Sequence, residues 1–150
     1  MIEKAKIKDV RAIYELLQEY GKKGDLLARP LSELYDHLRD FSVFLDGQER
    51  VLGCCALQFC WKDLAEIRSL AVHPEHIKQT IGEKLVNAAL AEAGTFSIKK
   101  VFTLTYRPDF FKKYGFLPID RSQLPLKIWA GCFTCVKFPG CDETAMIKEL

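Results

Sequence analysis

The sequence predicts an α+β fold in which a mixed, mostly antiparallel twisted sheet carries helices on both faces. Three consecutive strand patterns indicate a hairpin run: 42–45, 50–61 and 65–72. Asp46-Gly47, between the first two, is a strong hairpin signal. A helix pattern at 81–93 and a strand pattern at 100–105 then form a β-α-β crossover. Antiparallel and parallel pairs in one chain predict a mixed sheet.

Two helices are predicted before the first long strand. Apolar residues recur at helical spacing in the first one: Val10, Ile13, Leu16, Leu17 and Tyr20. Asp9 is expected to cap this helix, and Gly21 and Gly24 to end it before a loop at 25–30. Ser32 is expected to cap the second helix. Its apolar side holds Leu34, Tyr35, Leu38 and Phe41.

Turn and breaker residues define the remaining elements. The strand at 50–61 is too long to be regular, which predicts a bend or a bulge. His73-Pro74 ends the strand at 65–72, Gly94 closes the helix that follows, and Gly115 ends a short helix at 108–114. Two more strands are predicted among loops around three prolines: Pro118, Pro125 and Pro139.

Composition limits the class of protein. The 150 residues fit one domain over 1–150, and 49% hydrophobic content supports a core and excludes a disordered chain. A formal net charge of +2 is too small for a dedicated nucleic-acid binder. No apolar stretch approaches the roughly 20 residues that span a bilayer, and the first residues carry no secretory signal pattern. We therefore expect a cytoplasmic protein that binds neither nucleic acid nor membrane.

The six cysteines fall into two groups, one at 54, 55 and 60 and one at 132, 135 and 141. Without a secretion signal, a disulfide framework is not expected. The second group contains one C-x-x-C pair, but no second pair follows to complete a metal site. We expect reduced thiols and no bound metal. A metal-stabilised module using Cys132, Cys135 and Cys141 is the alternative.

The segment at 65–85 joins a strand, a loop and a helix start. Loop amides and the positive end of a helix together favour an anion. Lys78 and Lys84 add positive charge. A phosphate-bearing ligand is therefore predicted here.

The same segment resembles the acetyl-CoA-binding core of the GNAT N-acetyltransferase family. Leu70-Ala71-Val72-His73-Pro74 matches the family's strand end, 77–82 lies over its phosphate loop, and 110–116 resembles its F-Y-x-K-x-G-F segment. The resemblance implies acetyl-CoA as co-substrate, bound by Leu70, Ala71, Val72, Lys78, Gln79, Thr80, Ile81, Gly82 and Phe111. The sequence departs from the pattern in two places. Ile77, Lys78 and Thr80 replace Arg or Gln and two glycines, and Phe111 stands where many members have a proton-donating tyrosine.

A narrower resemblance is to the acetyltransferase domain of N-acetylglutamate synthases, of the short free-standing type. Five segments carry it: 24–31, 66–74, 104–107, 110–116 and 124–127. It implies an amino-acid acceptor, L-glutamate or a near relative, and a step in bacterial arginine biosynthesis. Two substrate carboxylates require two cationic groups. The candidates are Arg29, Arg68, Arg107 and Lys127.

The resemblance also implies two catalytic groups. Glu66 is the candidate general base, the alternative being a surface pair with Arg68. The backbone N–H of Leu70 is the candidate donor to the thioester oxygen, the alternative being an ordinary ladder hydrogen bond. No nucleophile constellation is present, which favours direct attack in a ternary complex. A different amine acceptor, or a degenerate domain that binds without catalysis, stays open. Because family members are often dimers, a homodimer is a further expectation.

Overall fold

The computed structural model describes residues 1–23, 29–124 and 143–150, and only the backbone of residues 78 and 79. Eleven helices and strands are described in these ranges, in chain order: β1 (Ile2–Lys4), α1 (Val10–Lys22), α2 (Leu31–Asp36), β2 (Phe41–Leu45), β3 (Val51–Trp61), β4 (Leu64–Val72), α3 (Ile81–Thr95), β5 (Lys100–Thr105), α4 (Pro108–Lys112), β6 (Leu117–Pro118) and β7 (Thr144–Glu149). A 3-10 turn, Pro74–Gln79, joins β4 to α3.

Seven strands form one sheet in the order β1-β2-β3-β4-β5-β7-β6. Within the described ranges, the β4–β5 pair is parallel and the other five pairs are antiparallel. A parallel pair requires a crossover connection, and α3 supplies it by carrying the chain from β4 back to the start of β5. The predicted mixed, mostly antiparallel sheet is confirmed, as are the two additional strands, β6 and β7.

Helices cover both faces of the sheet. Cys55 and Leu57 of β3 pack in one core cluster with Leu85 of α3, whereas Cys54 and Ala56 pack in another with Leu17 of α1. Side chains alternate across a strand, so these clusters lie on opposite faces. Phe111 of α4 belongs to the α3 cluster. The face covered by α1 and α2 is called the α1 face, and the other the α3 face.

Several predicted helix boundaries were wrong. Gly21 and Gly94 lie inside α1 and α3, because a helical glycine costs only about 1 kcal/mol, which packing of the neighbouring turns can offset. Asp9 has helical backbone angles, and its carboxylate accepts the Lys6 N–H at 2.8 Å instead of capping α1. Pro30, not Ser32, occupies the cap position of α2.

Other boundaries also moved. Leu38 lies in a separate 3-10 turn, and Phe41 begins β2, so α2 is shorter than predicted. Likewise α4 ends at Lys112, before Gly115, whose φ of 88° is the left-handed conformation that glycine favours. Gly24, the loop at 25–28, Pro125 and Pro139 lie outside the described residues.

The long strand β3 is irregular, as predicted. Its register against β4 shifts between Cys54 and Ala56 and again between Phe59 and Trp61. Cys54, Cys55 and Cys60 are buried and have free thiols. The second cysteine group lies outside the described residues. In the part of the chain that the structure describes, no helix is both long and apolar enough to cross a membrane.

Candidate functional site

A β-bulge in β4 creates the first feature of the site. Ala56 pairs with Arg68 and Cys54 pairs with Ala71, so Ser69 and Leu70 together face one β3 residue, Cys55. Ser69 has a φ of 54°, in the left-handed region. The Cys54 thiol donates to the Ser69 carbonyl at 3.4 Å. An extra residue leaves the ladder locally incomplete and re-aims its neighbours, so the predicted Leu70 amide lies at a bulge.

The parallel strands β4 and β5 separate just before this bulge. Their pairing runs from Leu64↔Lys100 to Glu66↔Phe102 and ends there. The next contact is made by a side chain, because the Thr103 hydroxyl donates to the Ile67 carbonyl at 2.9 Å. β5 continues to pair with β7 to its end at Thr105. The C-terminal halves of β4 and β5 are thus the walls of an opening.

A cavity of about 220 Å³ occupies this opening. Five of the predicted site residues line it: Arg68, Leu70, Ala71, Arg107 and Phe111. Tyr20 of α1 and Phe110 of α4 also line it. Because α1 and α4 cover opposite faces, the cavity is lined by residues from both faces of the sheet.

Glu66 lies on β4 beside the cavity but is not one of its lining residues. Its side chain is only 12% exposed, and its Oε1 lies 3.8 Å from Nε of Arg68. Burial raises the pKa of Glu66 to about 7, with Glu143 also raising it and Arg68 and Arg29 lowering it. The pair with Arg68 therefore exists but is not a surface pair. A carboxyl with this pKa exchanges a proton readily near neutral pH.

Arg29 is buried on the α1 face, with 4% of its side chain exposed. Nε and Nη2 donate to Glu33 Oε1 at 3.1 and 2.9 Å, and the guanidinium lies 5.4 Å from the centre of the Phe41 ring. Nη1 is buried without a hydrogen-bond partner among the described residues. Burial lowers the pKa of Arg29, and the nearby Arg68 guanidinium lowers it further. Arg29 and Arg68 therefore form a like-charged pair that an anion would stabilise.

The loop predicted to bind an anion lies between β4 and α3 and has a backbone conformation without the family's glycines. The 3-10 turn Pro74–Gln79 leads into Thr80, which has a φ of 60° where family members have glycine. In the first turn of α3, N–H groups such as those of Ile81 and Gly82 have no intrahelical acceptor. A Cβ on Gly82 would lie 3.4 Å from Phe110. The Lys84 ammonium lies over the Phe44 ring at 5.6 Å.

Of the other predicted residues, two have defined places and three lie wholly or partly outside the described structure. Val72, the last residue of β4, accepts a hydrogen bond from the Tyr20 hydroxyl through its carbonyl. Ile81 is buried in the core cluster of α3. Lys127 lies outside the described residues, and the side chains of Lys78 and Gln79 are not described.

Sequence reasoning missed ten residues that line the cavity: Tyr20, Ile67, Ser69, Ile77, Thr103, Leu104, Thr105, Tyr106, Phe110 and Glu143. Tyr20 was assigned to the apolar stripe of α1, although a tyrosine at the end of such a stripe has a hydroxyl that requires a partner. Thr103 is the one hydroxyl residue between two apolar neighbours on β5, Phe102 and Leu104. Phe111 packs 5.1 Å from Phe110 and 5.3 Å from Phe116, ring centre to ring centre, and offers no proton donor.

Comparisons with known proteins agree with this geometry. Residues 10–116 match the model of the acetyltransferase (GNAT) family. An uncharacterized N-acetyltransferase of Chlorobaculum tepidum is 40% identical over 99% of this chain and 96% of its own length. An amino-acid acetyltransferase of Mycobacterium tuberculosis is 34% identical over 86% of this chain and 75% of its own.

A solved structure is also similar over the whole chain. It is the N-acetylglutamate synthase of Neisseria gonorrhoeae in complex with coenzyme A and N-acetyl-glutamate. Its TM-score is 0.91 at 26% identity, and it covers 100% of this chain and 35% of the synthase.

Proposed function

This chain belongs to the acetyltransferase (GNAT) family, and from this premise we propose that it acetylates the α-amine of L-glutamate or a near relative. The co-substrate is acetyl-CoA, which GNAT enzymes use as acetyl donor. The amino-acid acceptor is supported by the relative named amino-acid acetyltransferase and by the synthase whose structure holds N-acetyl-glutamate.

The observation that carries the acceptor is a pair of guanidinium groups beside the cavity, of which Arg29 is buried and Arg68 is partly exposed. Arg68 lines the cavity, and Arg29 is close enough for its pKa to be lowered by Arg68. A buried guanidinium nitrogen without a partner is costly, and a carboxylate removes this cost by accepting its hydrogen bond. Glutamate brings two carboxylates. We assign one to Arg29 and Arg68, and the other to Arg107 at the cavity wall and Lys127.

The proposed reaction is direct attack with both substrates bound. Glu66, as carboxylate, takes a proton from the substrate ammonium, directly or through a water. The amine nitrogen then bonds to the thioester carbon, and the Leu70 N–H stabilises the oxyanion that forms. The C–S bond breaks as the carbonyl re-forms. The amine nitrogen gives its extra proton to water, and the CoA thiolate takes one from water or from another acid. Phe111 cannot supply that proton.

Acetyl-CoA is proposed to enter from the side of α3 and α4. Its pantetheine would follow the end of β4, at Leu70, Ala71 and Val72, against Phe111. Its pyrophosphate would take the N–H groups of the loop at 78–82, which precedes and begins α3. With glutamate as acceptor, residues 1–150 would act as one catalytic domain in bacterial arginine biosynthesis, in the cytoplasm.

A panel of amine acceptors tests the proposal. The purified chain is mixed with acetyl-CoA and one acceptor, and release of free thiol is followed. We expect turnover with L-glutamate above the acceptor-free background, and a lower kcat/KM with L-glutamine and L-aspartate. A peptide with a free N-terminal amine and a lysine side-chain amine serve as control acceptors that should not be acetylated. Turnover with either of these, and none with glutamate, would contradict the substrate assignment while leaving the GNAT chemistry intact.

A further inference from the structure

Two histidines and a glutamate converge at the turn between β4 and α3. His73 follows the last residue of β4, and Glu75 and His76 lie in the 3-10 turn. One nitrogen of each ring and one carboxylate oxygen lie within 4.8 Å of one another. The rings contact edge to face, with centres 5.6 Å apart. None of the three side chains lines the cavity, although their turn joins the two segments, 70–72 and 78–82, that we propose to hold acetyl-CoA.

Backbone hydrogen bonds hold the turn that carries the two histidines. The His73 N–H donates to the Leu52 carbonyl of β3 at 2.7 Å, and the His76 N–H donates to the His73 carbonyl at 2.8 Å. His76 and His73 are therefore tied to the sheet by short bonds. The turn is closed before any ligand binds, which lowers the entropic cost of assembling a site.

The ring nitrogens are available for coordination. Nδ1 of His76 is buried and has no hydrogen-bond partner among the described residues, which is costly for a polar atom. Nδ1 of His73 accepts only one long bond, from the Glu75 N–H at 3.3 Å. A neutral imidazole has a single lone pair, so coordination by His73 exchanges this long bond for a metal bond.

We propose that His73, Glu75 and His76 bind a divalent cation of the zinc class. Two imidazoles and one carboxylate are a donor set that suits Zn²⁺ and leaves its fourth position to water. Zinc bonds of about 2.0–2.2 Å place ligand atoms about 3.3 Å apart. The ligand atoms of the three side chains lie within 4.8 Å of one another, so the most distant ones must approach by roughly 1.5 Å. Glu75 is exposed and free to rotate toward the two histidine rings.

Binding is tested with Zn²⁺ alone on chelator-stripped, reduced protein, by calorimetric titration. Because the chain has three histidines, His37→Ala is a matched control outside the cluster. Cys132→Ser combined with Cys135→Ser controls for the second cysteine group. We expect one ion per chain, with affinity at least about tenfold lower in His73→Ala, His76→Ala and Glu75→Gln. Both controls should bind as the unaltered chain does.

Two further readouts keep the proposal falsifiable if a histidine variant is unstable. Glu75→Gln alters an exposed side chain and should fold normally, as circular dichroism checks. Co²⁺ bound at the site should give d–d absorption bands without thiolate charge transfer, and Zn²⁺ should shift the imidazole NMR signals of two histidines but not of His37. Absence of binding, equal affinity in all cluster variants, or loss confined to the cysteine variant would overturn the proposal.

Discussion

The Thr103 hydroxyl donates to the Ile67 carbonyl at 2.9 Å, one residue beyond the last parallel pair of β4 and β5. Thr103 is buried, so both groups would be deprived of water if this bond were lost. The bond satisfies a strand carbonyl where the ladder has ended. It therefore allows the two strands to separate without leaving a buried acceptor unpaired.

Thr103→Val should destabilise the fold and disturb the cavity. The valine fills the same volume but cannot donate, so the Ile67 carbonyl is left unsatisfied at a cost of about 1–3 kcal/mol. Urea unfolding measures this, and a raised KM for acetyl-CoA should accompany it. Thr103→Ser keeps the hydroxyl and is the control. Unchanged stability in Thr103→Val, or a larger loss in Thr103→Ser than in Thr103→Val, would contradict this role of the hydrogen bond.

Glu66→Gln should lower kcat by about 10²–10⁴-fold if Glu66 is the general base. The carboxyl must be ionised to accept a proton, and its pKa is about 7. The rate should therefore rise with pH through a limb centred near 7, and this limb should be absent in the variant. Steady-state kinetics across pH measure both effects. Glu19→Gln, on exposed α1 surface, should leave the profile unchanged, whereas a limb that persists in Glu66→Gln would assign the base elsewhere.

The same group predicts how stability depends on pH. In the unfolded chain the pKa of Glu66 is the ordinary value of about 4.5, and in the folded chain it is about 7. Between these values the folded state binds more protons, so folding stability falls as pH rises through this window, by on the order of 3 kcal/mol. Glu66→Gln stays neutral and should lack this loss. Urea unfolding at both ends of the window, compared between the two proteins, measures it. A parallel loss in both would attribute it to other groups.

Arg29→Lys should weaken binding of the dicarboxylic acceptor more than that of acetyl-CoA. Lysine keeps the charge but loses the planar fork that holds Glu33 and, in our proposal, a substrate carboxylate. We expect KM for glutamate to rise at least about tenfold, which corresponds to the lower end of the free energies of charge-assisted hydrogen bonds. KM for acetyl-CoA should be nearly unchanged.

The control for Arg29 is Arg50→Lys, at an exposed pair with Asp46. It should leave both KM values unchanged. If Arg29→Lys raises the two KM values equally, Arg29 supports the fold rather than the acceptor.

The regular parts of the fold could be predicted because their signals are local. Residues Lys100–Thr105 form a strand with the predicted bounds, since β-branched and aromatic residues alternate there. The opening of the sheet could not be predicted, because it depends on the left-handed backbone of Ser69 and on a hydrogen bond from the Thr103 side chain to the Ile67 carbonyl. These two residues are 36 positions apart in the sequence. Arg29 could be proposed from a motif, but its burial depends on the distant Phe41 ring.

Gly53 should be intolerant of a side chain because α3 packs directly on it. A Cβ at this position would lie 3.0 Å from both Ile81 Cγ2 and Leu85 Cδ1, and 3.2 Å from the Ala71 carbonyl. Gly53→Ala is expected to cost about 1–3 kcal/mol through overpacking. Gly94, inside α3, has no atom within 4 Å of such a Cβ, so Gly94→Ala should instead stabilise by about 0.5–1 kcal/mol.

Thermal and urea unfolding of the two alanine variants test this contrast. A Cβ on Gly53 would press on the carbonyl of Ala71, and Ala71 lines the cavity. Gly53→Ala should therefore also raise KM for acetyl-CoA, whereas Gly94→Ala should not. Loss of stability in both variants would mean that glycine serves backbone conformation at each site. Loss in neither would mean that α3 shifts away from the sheet at little cost, and that the close contact of α3 with β3 does not determine the shape of the cavity.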